Sequence, residues 1–359
     1  MLSDMNLGIN PFDLNLSRAY NTPDAFCPRP DLEALLSRSA AGWVWTLIDG
    51  DRRMGKSSAV IADSVRRKRP VLHVDLMGIN SETEVTERFL WAWRFFNQQA
   101  SGGFWKGVKP EMSPKSWAEV ILAFDHEIAK TGGLLFIDEF QDLGRGPDGG
   151  EKMARSLRAS LQMARHLTPV FAGSVQHLLV PLFATSTAAF FKSIRLQHHL
   201  SPFEPAAFGH WAARIFKQQK RTLEDSALTR LFELTAGVTE DLAAVCAEVW
   251  VQDTKDRPVT PADIESSWRY VVANAAPYFL PKISSLSELQ SRMLRFVAHN
   301  PRVQPYAATT LSAVRAETGS ISRAVTRLLE LELLQAEEHD GRKRVWVHDA
   351  RLAFYLQAA

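Results

Sequence analysis

Short, almost wholly apolar runs alternate along the first half of the chain with stretches whose apolar residues recur every three or four positions. The runs are WVWTLIDG (Trp43–Gly50), PVLHVDLMG (Pro70–Gly78), LLFIDEF (Leu134–Phe140) and PVFAGS (Pro169–Ser174), with SIRLQHHL (Ser193–Leu200) as a more polar fifth. A strand covered on both faces reads as a continuous apolar run, and the helices that cover it read with the 3.6-residue period. Helices are therefore expected through SSAVIADSVRRK, ETEVTERFLWAWRFFNQQ, SWAEVILAFDHEIAK and GEKMARSLRASLQMARHL, with Ser81 and Glu84 as a capping box and residues 101–114 as a loop. Trp91, Trp93, Phe95 and Phe96 sit at helical spacing, which predicts core packing. Strands alternating with helices indicate an α/β doubly wound parallel sheet.

After Pro202 the strand signal stops and residues 203–280 read as helices. Ala276–Ser285 (APYFLPKISS) reads as a Pro/Ser linker. Beyond it the pattern predicts a helix through SELQSRMLRFVAHN, a helix through ATTLSAVRAE, a turn at Thr318-Gly319-Ser320 and a helix through SISRAVTRLLELELL. Two short strands then flank the hairpin turn His339-Asp340-Gly341. That order describes a winged helix. The expected division is a lead-in over 1–30, an α/β core over 31–202, a helical lid over 203–280 and a winged helix over 281–359.

At 359 residues the chain exceeds one hydrophobic core, in keeping with several domains. A net charge of +2 excludes a global basic field, so any nucleic-acid site is a local patch. Cys27 and Cys246 share no metal or redox spacing. The first residues lack the basic start and apolar core of a signal peptide, and Leu178–Phe191 is broken by Pro181 and by Thr185, Ser186 and Thr187. The expectation is a cytoplasmic protein with no membrane partner.

Gly50–Ser57 satisfies G-x-x-x-x-G-K-S/T between an expected strand and an expected helix. Glycines there let backbone N–H groups turn inward around phosphates, and the helix N-terminus adds partial positive charge. Lys56 is expected to reach the phosphates and Ser57 to offer its hydroxyl to Mg²⁺. Asp138 ends a buried strand as a second Mg²⁺ ligand, and Glu139 beside it is placed to polarise an attacking water. Ser174 ends another strand, where its hydroxyl can sense the γ-phosphate. Arg195 is a candidate catalytic arginine acting in trans, against a plain surface role.

At these residues the chain resembles the archaeal-type ATPases, P-loop proteins close to the AAA+ and STAND classes and related to origin-recognition ATPases. FCPRPDLEALL is similar to the family's opening motif, which implies that Phe26 and Arg29 lie near the adenine. GDRRMGKSS resembles its double-arginine phosphate loop, which implies nucleotide contacts along Gly50, Asp51, Arg52, Arg53, Met54, Gly55, Lys56, Ser57 and Ser58. LLFIDEFQDL, VFAGS and the closing VWVHDARLAFYL resemble its metal-and-base strand, its sensor strand and the end of its winged helix. The resemblance implies an ASCE-type P-loop fold with lid and winged helix, and a slow, partner-stimulated ATPase using ATP and Mg²⁺. AGVTEDLAAVC departs from the pattern: Gly237 alone remains of the family's lid motif, so sensing by the lid is not implied.

On the expected recognition helix, Ser322, Arg323 and Arg327 face outward while Ile321, Val325, Leu328 and Leu329 face inward. The wing carries Arg342, Lys343 and Arg344. Residues 286–359 hold ten Lys/Arg against eight Asp/Glu, a weak basic footprint. Duplex DNA and a protein partner both stand as its ligand, and a second copy of the chain as an assembly partner. Arg66–Pro70 (RRKRP) reads as a solvated helix end, and the histidines of QHHL as structural.

Overall fold

A computed structural model describes residues 10–13, 15–108, 111–145, 150–174, 179, 182–183, 188–252 and 256–358. The chain divides into two compact units, Asp13–Phe203 and Glu204–Ala359, the latter including the chain up to Phe12.

The first unit is built on a five-stranded sheet of β1 (Thr46–Asp49), β2 (Val71–Asp75), β3 (Gly133–Asp138), β4 (Leu167–Gly173) and β5 (Leu196–His199), in the order β2-β3-β4-β1-β5. Every pairing is parallel. The inner strands β1, β3 and β4 are buried at every position, which is why they read as unbroken apolar runs. Edge strand β5 alternates between half-buried and exposed and therefore reads as polar. Because neighbouring strands run the same way, the loops after Asp49, Asp138 and Gly173 emerge at one end of the sheet.

The expected helices form as α3 (Lys56–Arg66), α4 (Glu82–Ser101), α5 (Trp117–Glu127) and α6 (Glu151–Met163), preceded by α1 (Leu16–Asn21) and α2 (Pro30–Gly42). The α4 start is half a capping box: Ser81 Oγ accepts from the Glu84 N–H, but Glu84 accepts from Asn80, one residue earlier than expected. On α4, Trp93 and Phe96 are buried as expected. Trp91 is not; it is 62% exposed and lies parallel to half-buried Phe95. The RRKRP run departs from expectation at Arg66 and Arg69, which are half-buried, and keeps to it at Arg67 and Lys68, which are exposed. Arg66 pairs with Glu33 at 2.6 Å and donates to the Pro23 carbonyl, fastening the end of α3 to its neighbours, while Arg67 and Arg69 share Asp63 of α3 itself.

In the second unit, Phe12 packs among Trp211, Phe216 and Trp250. The helices there are α7 (Pro205–Phe216), α8 (Asp225–Thr235), α9 (Thr239–Val251) and α10 (Pro261–Ser284). Here the expected linker is wrong. Residues 276–284 continue α10, and Pro277 and Pro281 lie inside it. Each proline removes a helical hydrogen bond, but Phe279 and Ile283, four apart, pack against the core that follows, and that burial holds the helix together.

That core belongs to α11 (Glu288–His299), α12 (Ala308–Val314), α13 (Thr318–Glu330), the hairpin β6 (Leu334–His339) and β7 (Arg342–Val347), and α14 (Ala350–Ala358). Thr318-Gly319-Ser320 is the first turn of α13 rather than a free turn, and the helix stops at Glu330 so that Leu334 can enter β6. The hairpin turns through Asp340 and Gly341, both at positive φ, as a tight two-residue loop demands.

Arg351 on α14 donates from Nε to Asp241 at 2.6 Å and from an Nη to Glu240 at 3.0 Å. Asp241 is fully buried. Arg351→Ala should therefore lower the unfolding free energy by about 3 kcal/mol, the order found when a buried pair loses one member. Urea unfolding would read it, and Glu240→Ala, at an exposed carboxylate, should change little.

Among the described residues, no helix is long and apolar enough to cross a membrane.

Candidate nucleotide-binding site

The loop after β1 is shaped by backbone that side chains resist. Gly50 has φ 142°, and a Cβ there would stand 2.7 Å from the Leu200 carbonyl oxygen. Arg53 and Gly55 are also at positive φ. Positive-φ residues interspersed in a short loop can turn N–H groups inward, as anion-binding loops do. Helix α3 begins at Lys56 with no side-chain cap at its N-terminus, so its first N–H groups open onto the same loop.

Lys56 is buried and donates to the carbonyls of Gly50 at 2.8 Å and Asp51 at 2.9 Å. Burial pulls its pKa down, while Asp138, Glu139 and Asp51 act to keep it charged. Ser57 Oγ donates to Asp138 Oδ2 across 81 positions of sequence. A hydroxyl and a carboxylate side by side are hard oxygen donors of the kind Mg²⁺ accepts. Among the described residues no group of three His, Cys, Asp or Glu could hold a metal alone. The Ser57–Asp138 pair thus fits a metal whose other ligands come from phosphate and water.

Burial acts to raise the Asp138 pKa, but His73, the Ser57 hydroxyl and the Glu139 N–H outweigh it and hold the carboxyl below its ordinary range. His73 Nε2 lies 3.7 Å from Asp138, an ion-pair rather than a hydrogen-bond distance, with its ring stacked on Phe136. Sequence reasoning passed over His73; its signal was one polar residue inside the apolar run of β2.

Glu139 has φ 48°, a strained conformation for a residue with a Cβ, and one that turns the chain sharply out of β3. Its Oε2 accepts from Ser174 Oγ at 3.1 Å and from the Gln141 side-chain amide. The sheet order explains this meeting: β4 lies beside β3, so the residue after β4 faces the residue after β3. Asp49, at the end of β1, is held by Gln197 and His199, each at 2.6 Å. The structural role expected of the QHHL histidines thus takes a definite form at His199.

Arg29 donates to the Ser201 carbonyl at 2.7 Å and the Met54 carbonyl at 3.2 Å, with its guanidinium over the Phe203 ring. Burial lowers its pKa to about 10. It therefore braces the loop through the Met54 carbonyl, and Phe26 is buried three residues before it. Asp51 and Arg52 are exposed on the loop, Arg53 and Ser58 half-buried, and Met54 buried. Arg195 is not brought to this loop. Its N–H bonds the Trp45 carbonyl at the start of β1, the opposite end of the sheet.

Among solved structures, the chain is similar to the Walker-type ATPase of Pyrococcus abyssi, with TM-score 0.72, 16% identity, and 97% of this chain and 99% of that chain covered. The chain has the fold of a Walker-type ATPase. It is also similar to the Orc1 protein of Aeropyrum pernix, solved in complex with DNA (TM-score 0.46, 13% identity, 95% of each chain covered). A third similar structure is the RuvB Holliday junction branch migration motor of Thermotoga maritima (TM-score 0.48, 12% identity, 90% of this chain and 93% of that chain). No family model matches the sequence, and no curated protein matches it.

The residues expected to face DNA lie in the second unit. Ile321, Val325 and Leu328 of α13 are buried, Arg323 and Arg327 are exposed on the opposite face, and Ser322 is half-buried. Arg327 pairs with Glu330 at 3.0 Å. In the hairpin, Arg344 stands opposite Glu337, Lys343 opposite Glu338 and Arg342 opposite His339. Two of the hairpin's three cations thus stand opposite glutamates in register, and Glu337 forms its ion pair with Arg302 at 2.7 Å.

Proposed function

We propose that this protein binds ATP with Mg²⁺, hydrolyses it slowly, and uses the cycle as a molecular switch. The observation that carries the reading is the Ser57–Asp138 hydrogen bond beside buried Lys56, with Glu139 and Ser174 meeting on the neighbouring strand. When bound, Mg²⁺ would offset charge on the phosphates, held by Ser57 and Asp138. Lys56 would exchange the Gly50 and Asp51 carbonyls for phosphate oxygens, with the loop N–H groups closing around them. Phe26 and Arg29 would border the nucleotide beside the loop. Glu139 would orient a water and accept its proton, and Ser174 would report the γ-phosphate. Slow turnover follows from the arginine supply: Arg195 is at the wrong end of the sheet for its own loop, so a second copy or another partner would provide the cation.

For the C-terminal module we propose contact with duplex DNA through Ser322, Arg323 and Arg327, with Arg342, Lys343 and Arg344 on phosphates. The cross-strand glutamates favour a second reading, a signalling or defence switch whose module docks on a protein. Hydrolysis should be measured with and without Mg²⁺ and with and without duplex DNA, in wild type and in Arg323→Glu/Arg327→Glu. Mg²⁺-dependent turnover, stimulated by DNA and unstimulated in the variant, is the expected result. Turnover indifferent to DNA would leave the protein-docking reading, and absence of turnover under every condition would overturn the switch itself.

A further inference from the structure

Gln141 is wholly buried, three residues after Asp138 ends β3 and two after Glu139. A buried carboxamide has to satisfy both its amide and its carbonyl. Gln141 does so within the site: Nε2 donates to Glu139 Oε2, and Oε1 accepts from the Ser174 N–H at 3.3 Å. The Ser174 hydroxyl donates to the same Glu139 oxygen. One side chain therefore bridges the candidate base and the candidate phosphate sensor.

The neighbouring backbone is built around that carboxamide. Gly173 does not have a positive φ, so its turn does not require glycine. A Cβ there would lie 2.6 Å from Gln141 Oε1 and 3.0 Å from the Leu179 methyls. The glycine of VFAGS leaves room for the Gln141 amide.

The hydroxyl of a serine has a single hydrogen. While Ser174 spends it on Glu139, it has none to give a phosphate oxygen, which can only accept. A γ-phosphate that takes the Ser174 hydrogen thereby removes one of the donors on Glu139. The Gln141 amide has its own hydrogens and its own anchor on the Ser174 backbone, so it can remain.

We propose that Gln141 is the positioning residue of this site. It holds the Glu139 carboxylate in place when Ser174 turns to the γ-phosphate, so that Oε1 of Glu139 keeps its aim at the water. This rests on the reading of Glu139 as the base.

The test compares Gln141→Met, Gly173→Ala and Glu139→Gln with wild type, measuring kcat, KM and the Kd for a non-hydrolysable ATP analogue. Methionine keeps the length and burial of Gln141 and loses both hydrogen bonds. Gly173→Ala keeps Gln141, Ser174 and Glu139 and presses chiefly on the carboxamide, with the Leu179 methyls yielding by a few tenths of an ångström, which provides a second route if Gln141→Met does not fold. Both should lower kcat by about tenfold to a hundredfold, the scale of a misplaced catalytic group, with analogue Kd within about twofold of wild type. Unchanged kcat in either folded variant, or an equal loss of kcat and analogue affinity, would overturn the proposal. Wild-type turnover in Glu139→Gln would instead overturn the assignment of the base.

Discussion

Lys56→Ala is expected to abolish the rise in melting temperature that ATP and Mg²⁺ produce in the wild-type chain. A ligand at a hundredfold its Kd stabilises the folded state by about 2.7 kcal/mol, which a thermal melt reads directly. Lys56 is the buried cation of the loop, so its loss removes the ammonium that stands inside the phosphate loop. Removing one member of a buried charge-assisted contact costs on the order of 2–5 kcal/mol, about thirtyfold to several thousandfold in affinity. The nucleotide-free protein should behave in the opposite sense. There the ammonium is desolvated and bonded only to carbonyls, and burial already lowers its pKa. Its removal should leave the ligand-free melting temperature unchanged or slightly higher. A wild-type Kd for ATP in the variant would show that the loop is not the nucleotide site.

Glu139→Gln should separate binding from chemistry. The amide keeps the size of the carboxylate but cannot accept a proton from water, and general-base contributions run to about a hundredfold to ten-thousandfold. A kcat loss of about a thousandfold with nearly unchanged ATP affinity is expected, so that ATP stays bound and intact over many wild-type turnovers. Rapid-quench measurement of bound ATP against ADP would read this. Glutamine can set its carbonyl oxygen where Oε2 of Glu139 stands and still accept from Gln141 and Ser174, so the loss reports the missing base. The loss should accordingly exceed that of Gln141→Met, which leaves the base in place.

Where sequence reading and structure part, burial supplies the reason. The Pro/Ser composition of APYFLPKISS signals a linker, and nothing local reveals that Phe279 and Ile283 have a core to enter. RRKRP signals a solvated helix end, and nothing local places Glu33 and Pro23 beside Arg66. Trp91 and Trp93 are two positions apart on one helix, and only the docked helix puts one against the core and the other in solvent.

The sequence by itself determined the strands, the helices between them and the chemistry of the strand ends. An inner parallel strand has to be apolar throughout, and a phosphate loop needs glycine at positions of special backbone geometry. Those constraints are local and can be read in a few adjacent residues. Only the tertiary structure decided what meets at those ends. Ser57 with Asp138, Glu139 with Ser174, and His73 beside Asp138 are contacts set by strand order, and strand order leaves no mark on any single segment. The role of Gln141 is of this second kind: in sequence it is a polar residue after a strand, and the pairing of β3 with β4 makes it the link between base and sensor.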